Sequence, residues 1–89
     1  MSADLETAVR ITARLYEMRR AARMLRGEKY ADDMVSFKKG IRDHAKARDL
    51  DLLPAATELA NNAQKNGSDI ALMLVMAAFV ELTEDESRG

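Results

Sequence analysis

IALMLVMAAFV, residues 70–80, runs for eleven positions without one polar side chain. Asn66-Gly67 stops whatever precedes it, and Ser68 or Asp69 can cap a helix that starts there. Leu, Met and Ala are strong helix formers, so the run reads as helix four, over about residues 69–83. On a helical period its side chains point in every direction around the axis, and a helix apolar all round is buried all round. The run is too short to cross a bilayer, which needs roughly 20 apolar residues. Helix four is therefore expected in the middle of a small protein core, and no membrane partner is expected.

Working outward, 89 residues with one Pro and four Gly leave room for a single helical domain, residues 1–89. The fold class expected is all-α, a small four-helix bundle. Ala8, Ile11, Leu15, Met18, Ala22 and Leu25 recur at alternating spacings of three and four, the narrow seam of a helix that pairs with another. They place helix one over about residues 3–26, with Ser2 as N-cap and Gly27 as the left-handed stop. Leu5, Val9 and Tyr16 widen the seam on one flank. Tyr30, Met34, Phe37, Ile41 and Ala45 mark helix two, up to Arg48 or Asp49. Gly40 interrupts that face, and is read as a point of close helix crossing or slight bend. So short a turn between the first two helices predicts an antiparallel hairpin. Helix three is short, over about residues 54–65, with Pro54 in its first turn and one modest apolar face. Residues 84–89 are polar and acidic and are read as a frayed tail.

Three earlier helices, one of them short, have little surface with which to enclose helix four. A second copy or another protein is expected to help. The residues assigned to the core or to an oligomer interface are Ile11, Leu15, Met18, Leu25, Leu72, Met73, Met76 and Phe79.

Charge is divided along the chain. Residues 1–50 hold 12 Lys/Arg against 8 Asp/Glu, and residues 51–89 hold 2 against 7. Helix one concentrates the excess in Arg10, Arg14, Arg19, Arg20, Arg23 and Arg26, which are assigned to partner binding. Guanidinium groups at helical spacing suit carboxylates and phosphates alike. In a hairpin, Arg10 and Arg14 would neighbour Lys46 and Arg48. The acidic end after helix four is read as a solubilising terminus, or else as a counter-charge for helix one. Base reading by a helix-turn-helix is disfavoured. Helix four is too apolar to enter a major groove, and Asp32 and Asp33 open helix two.

Catalysis and metal binding find no foothold. The chain has no Cys, no Gly-rich phosphate loop and one imidazole, His44, read as a satisfied boundary side chain. Asp49 and Asp51 lack the Gly and Glu of a calcium loop. The opening residues MSADLETAVR lack the basic start and apolar stretch of a signal peptide, so a cytoplasmic location is expected. The function expected is that of a non-enzymatic regulator, adaptor or inhibitor, without cofactor. It would act by protein–protein binding as a homo-oligomer through the arginine face of helix one. The alternative is a nucleic-acid binder that grips the phosphate backbone with the same arginines.

Overall fold

The structure, a computed structural model, describes residues 2–88, with side chains from position 4 onward. It contains α1 (Ser2–Arg26), α2 (Tyr30–Arg48), α3 (Leu52–Lys65) and α4 (Asp69–Arg88), with a 3-10 turn at Gly27–Lys29. The boundaries follow local chemistry. Gly27 takes the left-handed conformation, at φ +56°, that releases the chain from α1. Asp49 does the same after α2 at φ +53°, a conformation Asp tolerates better than most residues, and Leu50 N–H closes onto the Ala45 carbonyl at 2.8 Å. Asp51 stands in extended backbone ahead of α3, which begins two residues before Pro54. Ser68 caps α4: its Oγ accepts the Ala71 N–H at 3.2 Å. The side chain of Ser2, the expected cap of α1, lies outside the described residues.

Helix α4 is the hub of an all-α bundle, packed against each of the other three helices. Leu74, Val75, Ala77, Ala78, Val80 and Leu82 are buried, and Leu72, Met73, Met76 and Phe79 pack half-covered around them. Its own chain thus encloses most of α4, which needs less outside help than its composition suggests.

Two expectations change. The chain does reverse in a tight turn after α1, but α1 and α2 then diverge and touch little beyond it; α1 lies on α4 instead. The larger apolar demand of α4 draws α1 away from α2. The seam of α1 is also mostly uncovered. Ala22 is buried and Leu15 and Met18 are half-buried, while Ile11 and Leu25 remain 55% and 60% exposed. None of the eight residues assigned to core or interface is fully buried. The core lies deeper, in Ala22 and Met34 with Ile41, Ala45, Ala55, Ala56 and Ala60, against α4.

Seven of the thirteen buried apolar residues among those described are Ala, and Ile41 is the one large side chain completely enclosed. Small residues bring helix axes close, but each removes little apolar surface from water. The core is therefore lean for its size. Gly40 serves no close crossing: a Cβ built there meets no atom within 4 Å.

These placements separate three substitutions. Ile41→Ala should cost about 2–5 kcal/mol in urea unfolding. Leu25→Ala should stay within about 0.5 kcal/mol, and Gly40→Ala should stabilise by about 0.4–1 kcal/mol. Equal losses for Ile41→Ala and Leu25→Ala would contradict the packing described.

Candidate interaction surface

The six arginines of α1 do not form one surface. Arg19, Arg23 and Arg26 are engaged within the fold. Arg19 Nη1 donates to Glu84 Oε1 at 2.5 Å, and its guanidinium lies 4.9 Å from the Tyr16 ring centre. Arg26 Nε donates to Asp33 Oδ2 at 2.7 Å, tying the end of α1 to the start of α2. The guanidinium of Arg23 sits 5.5 Å over the ring of Tyr30, a favourable cation–π arrangement. Arg10, Arg14 and Arg20 remain exposed. They alternate along α1 with Glu6 and Glu17, so the free arginines belong to a face of mixed charge. Arg48, expected beside Arg10 and Arg14, instead reaches Glu58 on α3 at 3.4 Å.

The counter-charges come from the end of α4. Glu81, Glu84 and Asp85 stand at i, i+3 and i+4 and share a face. Tyr30 Oη donates to Glu81 Oε2 at 2.5 Å, and Lys38 Nζ lies 3.4 Å from Glu81 Oε1 and 2.9 Å from Asp85 Oδ2. Tyr16 Oη reaches Glu84 at 3.4 Å. With these contacts α4 continues to Arg88, past the expected end near residue 83, and Glu84 and Asp85 lie in the helix; Gly89 is outside the described residues. The acidic end thus serves as counter-charge to α1 and α2 within the chain. The acidic end was read as one possible counter-charge for helix one, but its pairing with Tyr30 and Lys38 on α2 was not read from sequence. The three-and-four spacing of the acids was the available signal.

Burial, reinforced by the Glu81 carboxylate, pushes the Tyr30 hydroxyl from its ordinary 10.0 up to about 12. The hydrogen bond to Asp85 raises Lys38, and the same bond lowers Asp85. The signs follow by linkage. Tyr30 and Lys38 hold their protons more tightly when folded, so their contribution is complete below their unfolded values and lost as pH rises. For Tyr30 that window is about pH 10 to 12. Asp85 contributes above its unfolded value of 3.8, and the contribution is lost as pH falls through its lower folded value.

His44 behaves as a boundary residue. Its Nε2 lies 2.9 Å from Glu58 Oε1, linking α2 to α3. Among the described residues no group of three or more His, Asp or Glu is arranged to hold a metal ion, and no helix is long and apolar enough to cross a membrane.

The unusual surface is the first half of α1. Every residue from position 4 to 14 is exposed. Leu5 is 67% exposed, Val9 59% and Ile11 55%. On a helical projection Leu5, Ala8, Val9, Ile11 and Thr12 occupy one half, interrupted only by Asp4 at its margin. Glu6, Arg10, Arg14 and Glu17 occupy the other. The Thr12 hydroxyl donates to the Ala8 carbonyl at 2.9 Å, so its hydrogen is spent within the helix. The arm is an amphipathic helix whose apolar side stays more than half exposed at Leu5, Val9 and Ile11.

No family model, curated protein or solved structure matches the chain.

The ladder is open to a spectroscopic test. In Tyr16→Phe, Tyr30 is the one remaining tyrosine. Its phenolate should appear with a midpoint near 12, and Glu81→Gln should lower that midpoint while leaving it above 10.0, since burial is the larger cause. A midpoint near 10.0 with helicity intact would show that Tyr30 is neither buried nor bonded to Glu81.

Proposed function

We propose that this protein acts without catalysis, by docking onto a protein through the free half of α1. The observation that carries the reading is the exposed arm, with its apolar stripe of Leu5, Val9 and Ile11 beside a mixed-charge edge. An isolated helix of about a dozen residues is marginal in water, because nucleation costs more than so few hydrogen bonds return. An amphipathic helix laid against a complementary apolar surface is a common mode of protein recognition. Small regulators, adaptors and inhibitors can all work this way.

The arginines then have a different part from the one expected of them. Arg10 and Arg14 lie on the polar half of the arm and select among partners by longer-range charge, while Arg19, Arg23 and Arg26 hold the fold together. The phosphate-backbone alternative draws less support. Half of its cations face Glu84, Asp33 and the Tyr30–Glu81 pair, and the others alternate with Glu6 and Glu17.

A photo-crosslinking residue at Val9 tests the proposal in living cells, with Val35 as control. Val35 is 69% exposed but lies on α2, away from the arm. Position 9 should yield one discrete protein adduct and position 35 none. Absence of an adduct at position 9, or equal adducts at both positions, would overturn the docking reading.

A further inference from the structure

We infer that an open apolar cleft between α2, α3 and α4 binds a small uncharged molecule, largely apolar and carrying one hydrogen-bonding group. The cleft holds about 320 Å³. That lies within the range of small-molecule sites, which form readily between the helices of bundles. No residue of α1 lines it, so it is separate from the docking arm.

One turn of each helix builds the cleft. Leu59 and Ala63 on α3 stand at i and i+4, as do Ala71 and Val75 on α4 and Ser36 and Gly40 on α2. Residues so spaced share a helix face. Val75 is buried and forms the floor. Leu59, Ala63, Ala71 and Phe37 are half-buried and form the walls, while Ser36 and Gly40 are exposed at the mouth.

Gly40 has no explanation within the fold. It sits inside α2 without a left-handed backbone, where glycine is destabilising relative to Ala. Packing does not require it either, since a Cβ there meets no atom within 4 Å. Its effect is to leave the mouth of the cleft unobstructed. A glycine with neither a turn nor a packing role is suited to let another molecule approach the backbone closely.

The lining selects the occupant. It carries no charged residue, so a charged ligand would lose water and gain no partner. Ser36 supplies its one polar side chain. Thr12, Thr57, Thr83 and Ser87 donate their hydroxyls to helix carbonyls three or four residues earlier, and Ser68 caps α4. Among the described residues Ser36 makes no such bond, which leaves its hydroxyl open to one donor or acceptor on a ligand. The volume is about twice the roughly 150 Å³ that accommodates benzene. It suits a molecule of one or two rings and not a protein helix, which is about 10 Å across.

Titration of the purified full chain with indole, naphthol and cyclohexanol, followed by NMR of its methyl groups, tests the inference. At least one of the three should saturate with a Kd of about 1 mM or below and shift the methyls of Ala63, Ala71 and Val75. Its carboxylate counterpart (indoleacetate, naphthoate or cyclohexanecarboxylate) should bind at least about tenfold more weakly. Gly40→Leu fills the mouth and should weaken binding at least about tenfold. The same change should raise the unfolding midpoint, because Leu is the better helix former, so lost binding is not lost fold. Ser36→Ala should weaken binding about twofold to tenfold. Saturation by none of the three, or binding that Gly40→Leu leaves unchanged, overturns the inference. Equal affinity for the carboxylate counterpart overturns the uncharged class, and indifference to Ser36→Ala overturns the hydrogen bond.

Discussion

The apolar surface of α4 has to be enclosed, and the rest of the structure is arranged to enclose it. A helix without a polar side for three turns cannot lie at a bundle's edge. It recruits the inner face of α2, the Ala55, Ala56 and Ala60 stripe of α3, and the second half of α1. Because those faces are rich in Ala, the helices come close, and α4 is nearly covered by a chain of only 89 residues. That arrangement consumes the apolar surface available. The first half of α1 is left exposed from position 4 to 14.

Electrostatics fixes the end of the assembly that apolar packing does not. Past Val80 the hydrophobic run gives way to Glu81, Glu84 and Asp85, and these reach Tyr30 and Lys38 on α2 and Arg19 on α1. Such pairs at a partly exposed edge contribute modestly one by one. Their larger consequence is for function. They neutralise cations nearest the core, while Arg10 and Arg14 on the first half of α1 stay exposed. The free charges are mixed in sign and stand beside an apolar stripe, the combination of an interface rim and its core.

The sequence made the elements legible because their signals are local. Gly27, Asn66-Gly67 and Pro54 mark boundaries that the structure keeps within two residues, and the all-round apolarity of residues 70–80 marks the centre. Pairing was not legible. The Ala8 to Leu25 seam states that α1 lies against a helix, and is silent on whether that helix is α2 or α4. Only the greater apolar demand of α4, a tertiary matter, decides it. The intrachain contacts of Arg19, Arg23 and Arg26 were illegible for a related reason. Tyr30 and Arg19 find their carboxylates 51 and 65 residues further along the chain. Nothing near residues 19–26 betrays those partners, so cations that hold the fold read as a recognition face. The same distance made residues 84–88 look like a tail. An apolar surface too large for the chain to cover was expected on α4, whereas the exposed stripe lies on α1.

The central claim is that one part of the chain is sealed by its own fold and another is left open for a partner. Amide hydrogen exchange of the purified chain at high dilution tests it most directly. The account predicts that amides of residues 74–82 exchange slowly. Those of residues 5–14 should exchange quickly. Slow exchange of residues 5–14 even at high dilution would mean that the chain covers its own arm, and would contradict the account.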